Sequence, residues 1–382
     1  MTWEESTVMS QREKFCFAVT QPGANISALC RTAGISRQTG YKWLREYKQS
    51  GVAGLDDRSR RPHHSPNQSS PVIIEQIRIL REKHPQWGAR KIRALLGKMN
   101  HQESLDNLPA ASTVHSILHN LDLVNPPEPP VEHPTVTRFV YPHPNDLWQM
   151  DLKAPIRLPS GQKVYPVAII DDHSRYLLGL WMTPDATAKR ILRCWIASAT
   201  VNGLPIGTLT DHGGQFRTLD DETSMFRVHL WACGVEHHQG RPRHPQTQGK
   251  IERFNRTLKE ELLTSHHYAT IADWQTCFDD WREVYNTIRP HQELDYQTPS
   301  ECYHLSDRAY VEPDRRARFG HLDSFYRRVD SQGKLSLGCH RILAGRGFAG
   351  WTVEIRILGY KNFAIFFREH FVKMIELPSQ TT

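Results

Sequence analysis

A run of prolines divides this chain. Asn125 to Pro134 reads NPPEPPVEHP, five prolines in ten residues. Proline fixes φ and lacks an N–H, so the run joins neither helix nor sheet and reads as a stiff spacer over 125–135. Before it, apolar residues recur every three or four positions, the helical period. After it, short apolar runs alternate with helical patterns, which predicts a mixed sheet with helices packed on it. A fold class follows: multidomain, with all-α helical units first, a central α/β core at 136–305, and a small C-terminal β-barrel at 320–378.

The helical part splits in two. Residues 1–62 read as a helix-turn-helix domain with helices at 11–20, 26–33 and 36–47, a turn at Gly34 and Ser36 as a helix cap. Trp43, Leu44 and Tyr47 face inward. Arg37, Gln38, Lys42 and Arg45 face outward, as a helix lying in a DNA major groove would require. Arg58, Arg60 and Arg61 follow at once and suit phosphates or a minor groove. An ordinary helical bundle with a charged face is the competing reading. A second helix-turn-helix-like unit spans 71–124, with Arg90, Lys91, Arg93 and Lys98 predicted to point outward. A net charge of +7 makes an anionic polymer the natural partner, though by itself it is weak support.

Beyond the spacer, strands are predicted at 147–156, 164–170, 176–182 and 206–210, with helices at 187–201 and 224–233. From about 335 the pattern becomes strand-rich, with glycines between strands at 335–337, 352–358, 362–367 and 371–375, hence the barrel.

Three acids occupy suggestive positions. Asp151 lies inside the first apolar strand, where a carboxylate is costly unless paired or metal-bound. Asp211 ends a strand just before two glycines, and Glu252 opens a helix whose stripe is Ile251, Phe254, Leu258 and Leu262. Strand ends and helix starts of α/β domains line one crevice, so the three can converge. Converged carboxylates call for a divalent cation, and Mg²⁺ prefers oxygen ligands. Arg256 and Lys259 lie four and seven residues after Glu252, on roughly its helix face. Asp171 and Asp172 are rivals, read as structural and paired with Arg175.

Together these residues resemble the catalytic core of DDE transposases and retroviral integrases, with helix-turn-helix regions like those of bacterial insertion-sequence transposases. The likeness rests on Trp148-Gln149-Met150-Asp151, Asp171-Asp172 with Ser174-Arg175, and Asp211-His212-Gly213-Gly214-Gln215-Phe216. His244 to Gly249, Glu252, Asn255 and Lys259 continue it, and Tyr285-Asn286, Arg289-Pro290-His291 and Thr298-Pro299 close it, over about 140–305. The resemblance implies an RNase H-like fold in which Asp151, Asp211 and Glu252 bind two Mg²⁺ or Mn²⁺ ions. It also implies that Gln248, Asn255, Arg256 and Lys259 face DNA, with the Gly240–Gly249 loop against the scissile strand. The forty residues between Asp211 and Glu252 exceed the common family spacing by about five, and His212 stands where Asn is commoner.

The resulting expectation is a transposase that binds double-stranded DNA at the ends of its element, cuts their 3′ strands and joins them to target DNA. It would act as a dimer or larger homo-oligomer. A catalytically silent DNA-binding regulator and a nuclease that cuts without joining are the alternatives. There is no run of eighteen apolar residues, and the first residues are acidic and polar, unlike a signal peptide. The seven cysteines are odd in number and scattered. These features favour a reducing cytosol and no membrane partner, and the resemblance implies that the cytosol is bacterial.

Overall fold

The computed structural model describes residues 8–57, 68–103, 108–124, 140–216, 223–240, 249–319 and 324–377. Arg58, Arg60, Arg61, the proline-rich spacer and Gln248 lie outside these residues, as does 241–248 of the loop preceding Glu252. The chain forms two compact units, Met1–Gln68 and Ser69–Thr382. No helix among the described residues is long and apolar enough to cross a membrane.

The first unit holds α1 (Val8–Val19), α2 (Ile26–Thr32) and α3 (Arg37–Ser50). Asn25 caps α2 by accepting from the Ala28 N–H, and Ser36 caps α3 by accepting from the Thr39 N–H. Gly34 turns the chain between them at φ +65°, a backbone that L side chains rarely adopt. Phe15, Cys16, Cys30, Trp43 and Leu55 form the core. Arg12 closes it, donating to Leu55 O at 2.8 Å, pairing with Asp57, and lying 3.9 Å from the Trp43 ring centre. Arg37, Gln38, Lys42 and Arg45 are exposed along α3.

The second unit opens with α4 (Pro71–Lys83), α5 (Ala89–Glu103) and α6 (Ala111–Asn120), packed around Ile77, Trp87, Ile92, Leu96, Val114 and Leu118. A mixed sheet follows, built from β1 (Leu147–Leu152), β2 (Ile156–Arg157), β3 (Lys163–Asp171), β4 (Leu177–Thr183), β5 (Gly207–Thr210) and β6 (Glu236–Gln239). Its order is β2-β3-β1-β5-β6, with β4 also paired to β3. The β1–β3 and β3–β4 pairs are antiparallel, and β1–β5 and β5–β6 are parallel. Helix α7 (Ala188–Asn202) covers one face through Ile191 and Trp195 against Trp148, Met150 and Val167. On the other face α9 (Gly249–Leu258) and α10 (Ile271–Thr287) bury Ile251, Phe254 and Phe278 against Ala168, Ile170 and Leu180. Helix α8 (Met225–Ala232) lies between β5 and β6, and α11 (Pro299–Cys302) follows α10.

Two expectations change. The α5 cations do not form a free outer face. Lys98 pairs with Glu301, and the Arg93 Nε–H donates to Pro109 O at 2.9 Å. Burial, opposed by Glu261 and aided by Arg289, holds the Lys91 pKa down at about 8. Val284 and Ile288 of the core pack into the same helical cluster. This bundle is therefore fastened to the core along α5 through Lys91 and Lys98, while Arg90 and Arg93 remain exposed as expected, Arg93 bonding only within the bundle.

The expected β-barrel is not closed. Strands β7 (Phe325–Arg328), β10 (Thr352–Ile357), β11 (Asn362–Phe367) and β12 (His370–Glu376) form an open antiparallel sheet in the order β12-β11-β10-β7. Strands β8 (Lys334–Leu337) and β9 (His340–Leu343) form a separate hairpin. The apolar face of this sheet finds its cover without a closing strand. Val228 and Ala232 of α8 join Val353, Ile355, Phe348 and Phe367 in one cluster. Strand β7 was not foreseen because Phe-Tyr-Arg-Arg shows no alternation of apolar and polar residues.

The docking of tail to core is tightest at Gly347, where an added Cβ would meet Thr223 O at 2.1 Å. Gly347→Ala is expected to destabilise the protein by about 1–3 kcal/mol in urea unfolding. Gly359→Ala, with nothing within 4 Å of the added methyl group, serves as the neutral comparison.

Candidate active site

Strand alternation sends Trp148 and Met150 toward α7, and Gln149 and Asp151 to the opposite face, where α9 lies. The parallel neighbour β5 is registered Leu147 to Gly207 and Gln149 to Leu209. Continuing that register by two residues brings Asp151 beside Asp211, at about the 4.8 Å spacing of adjacent strands. The charges feel each other. Burial pushes the Asp151 pKa up, an amide hydrogen bond from Asn255 pulls it down, and the Asp211 charge raises it again. One Asp211 oxygen accepts from the Gly213 N–H at 2.9 Å, which fixes the turn after β5.

Helix α9 runs along β1. The Ile251 N–H donates to Gln149 Oε1 at 3.3 Å, and Asn255 Nδ2 donates to Asp151 Oδ2 at 2.6 Å. Four helix residues rise about 6 Å and two strand residues about 6.6 Å, so the elements keep step. Glu252 lies between these two contacts, in the first turn, and is exposed. Among the described residues no three His, Cys, Asp or Glu side chains gather as a ready cation site. The structure thus brings Asp151 and Asp211 together and leaves Glu252 on the adjoining helix. The donor set fits a hard divalent cation: two neighbouring carboxylates, one strongly desolvated, with fewer hydrogen bonds than their charge calls for.

Cations flank the pair. Lys153 Nζ donates to Asn255 O at 3.2 Å. Its pKa is lowered by burial, raised by Asp151 and lowered by Lys259, so Lys153 lies by Asp151 and Lys259 lies near Lys153. Arg256 is exposed one residue after Asn255. Asn255, expected against DNA, has its amide on Asp151. His212 has both ring nitrogens buried without a hydrogen-bond partner among the described residues.

Asp171 and Asp172 are fully buried. Asp171 accepts from the Ser174 N–H at 2.8 Å, from the Ser174 hydroxyl at 2.6 Å and from the Asn145 N–H at 2.7 Å, a self-contained turn. Asp172 is paired with Lys250 of α9, not with Arg175 as the sequence suggested. Lys153, Gln149 and Lys250 were all missed as site neighbours. The period-2 spacing 149, 151, 153 along one strand was the available signal for two of them.

Beneath Asp211, the Arg227 Nε–H donates to His237 Nδ1 at 3.1 Å, so the His237 Nε2–H donates to Thr210 Oγ1 at 2.9 Å. Burial, aided by Arg227 and His238, holds the His237 pKa at about 3. The folded value lies below the unfolded 6.5, so this stability is present above pH 6.5 and lost as pH falls toward 3. At pH 5 the one site costs about 2 kcal/mol. Urea unfolding at pH 7.5 and 5.0 should show a loss to which buried His291 and His229 also contribute, and His237→Gln should shrink the difference by about 2 kcal/mol. Separately, Asn255→Leu should raise the Asp151 pKa in metal-free protein, followed by carboxyl ¹³C NMR titration. An unchanged value would show that the amide does not bond the carboxylate.

Parts of the chain are similar to known protein families. Integrase core domain families match residues 142–245 and 233–299, a helix-turn-helix domain matches 12–63, and a homeodomain-like domain matches 39–118. An uncharacterised 39.2 kDa protein of insertion element IS476 from Xanthomonas euvesicatoria is 22% identical over 73% of this chain and 78% of its own length. The transposase for insertion sequence element IS904 from Lactococcus lactis is 28% identical over 41% of this chain and 61% of its own. Apart from the IS476 protein, the chain spans about half to three-fifths of the leading relatives. The HTLV-2 integrase catalytic core domain in complex with magnesium covers 43% of this chain and 99% of its own, at 16% identity and a TM-score of 0.33, too loose an overlap to transfer any residue's role. The resemblance to insertion-sequence transposases with an integrase core stands, and this chain carries that core behind helix-turn-helix domains.

Proposed function

We propose that this integrase-core chain is a transposase that cuts the 3′ strands at the ends of its element and joins them to target DNA. The observation that carries the reading is the placement of Asp151 on β1 and of Asp211 directly after its parallel neighbour β5, with Glu252 on the helix that keeps step with β1. In this reading Asp151, Asp211 and Glu252 hold two Mg²⁺ or Mn²⁺ ions, which neutralise charge at the scissile phosphate and support in-line displacement. The chain's own groups do the rest. Lys153 beside Asp151, with Lys259 near it, holds the phosphate backbone, and Arg256 extends that contact along α9. Arg37, Gln38, Lys42 and Arg45 on the exposed face of α3 read the element's end in the major groove, with Arg58, Arg60 and Arg61 on adjoining phosphates. Two ends must be joined in one event, so the active species is a dimer or larger assembly on double-stranded DNA. The compartment is the bacterial cytosol.

Asp151→Asn, Asp211→Asn and Glu252→Gln should each abolish strand transfer of a labelled end into a plasmid, with end binding by gel shift within about twofold of the parent. Normal joining by any one of them would sink the assignment. The exposure of Glu252 favours one competitor, a DNA-binding regulator that keeps the fold without chemistry. The same assay decides it, since a regulator binds ends with no metal-dependent cutting, and a simple nuclease cuts without joining.

A further inference from the structure

We propose that Gln149, Asp172 and Lys250 form a latch that sets the register of α9 on β1 and so determines whether Glu252 faces the Asp151–Asp211 pair. They are positioning residues and touch neither DNA nor metal. The proposal rests on the metal-binding role given above to Glu252.

The first turn of any helix has N–H groups without intrahelical partners and is the part most easily frayed. Glu252 stands in that turn. Here the Ile251 N–H is taken by Gln149 Oε1 at 3.3 Å, a cap supplied by a strand. Gln149 is itself held, since its Nε2 donates to Asp172 Oδ1 at 2.7 Å. The other Asp172 oxygen accepts from Lys250 and from the Tyr141 N–H at 3.0 Å. Lys250 also reaches Asp172 O at 3.3 Å. A single buried carboxylate therefore joins β1, the segment before it and the start of α9. Gln149 is 1% and Asp172 0% exposed, so water cannot replace these bonds.

The constraint is angular as well as axial. A slip of α9 by one residue turns its side chains by about 100° and moves them about 1.5 Å, which would redirect Glu252 relative to the Asp151–Asp211 pair. The Asn255–Asp151 contact opposes a slip at the middle of the helix, but it lies three residues beyond Glu252. The latch acts on Lys250 and Ile251, the two residues just before Glu252. A capping role fits the place of Gln149 two residues before Asp151 on the same strand face.

The test uses full-length protein with a DNA end, in variants Lys250→Met, Lys250→Arg and Gln149→Leu. Fe²⁺ replaces Mg²⁺, and peroxide with ascorbate generates hydroxyl radicals that cut the backbone near bound iron. The parent should be cut near 151, 211 and 252. Lys250→Met and Gln149→Leu should lose about tenfold of the cutting near 252 while keeping that near 151 and 211, and Lys250→Arg should restore it. In the same variants kcat for end cutting should fall about tenfold at unchanged KM for DNA, and exchange of the Ile251 amide should quicken by a similar factor. Equal cutting at 252 in all proteins overturns the latch and leaves the metal reading intact. Absence of cutting at 151 and 211 in the parent overturns both. A parallel loss at all three positions means a general structural role and also overturns the latch. Should Gln149→Leu fail to fold, Lys250→Met, whose side chain is 13% exposed at the rim, decides the question with its Arg partner variant.

Discussion

Putting carboxylates into the middle of a sheet is the constraint on which this core depends. Ionised groups removed from water need partners, and four acids here lie on or beside the central strands. Two are answered by the chain itself. Asp171 is satisfied by its own turn and by Asn145, and Asp172 by Lys250, Gln149 and Tyr141. The other two, Asp151 and Asp211, are set side by side with few partners, and burial and mutual repulsion raise the Asp151 pKa. The contrast separates framework from candidate chemistry more sharply than residue type does. An acid whose bonds are complete has no further ligand to seek, whereas a desolvated pair with bonds to spare is a place for a cation.

The rest of the second unit is arranged around that sheet by ordinary packing. Helix α7 seals one face with Trp195 on Trp148, and α9 and α10 seal the other. The two attachments the sequence misplaced follow the same logic. The helical bundle at 71–124 offered a row of cations that looked outward. In the fold two of them, Lys98 and Lys91, are drawn to Glu301 and Glu261, because docking Val284 and Ile288 into the bundle brings those acids near, while Arg90 and Arg93 stay exposed. The tail offered strands that looked ready to close, but α8 already covers their apolar face, and a sheet with its face covered gains little from closure.

What was legible in the sequence follows the range of the interactions. Helix caps, the turn at Gly34 and the strand identity of Trp148 to Asp151 depend on neighbours a few residues away, and they were readable. So were Asp151, Asp211 and the start of α9, because strand ends and helix starts can be located from periodicity. The partner of Asp172 was not readable: Lys250 lies 78 residues away, and nothing nearby distinguishes it from the adjacent Arg175. Strand β7 was hidden because its side chains are mostly exposed and carry no alternation. The open edge of the tail sheet was hidden because the element that covers it comes from another part of the chain.

The acids of the candidate triad are not held alike. Asp151 is fixed by a strand paired on both sides, through five registered positions with β3 and three with β5. Asp211 follows directly on β5 and is tied to its own turn. Moving either would break the ladder of backbone bonds that makes the sheet. Glu252 has no such ladder, since it sits in the first turn of a ten-residue helix that meets the strand through side chains. Its position therefore rests on a few specific bonds, while theirs rests on the fold as a whole. A site built this way keeps two carboxylates permanently at close quarters and leaves the third on the element that can most easily adjust. Because that adjustment is a rotation of about 100° per residue of slip, small changes at the start of α9 have large angular consequences at Glu252.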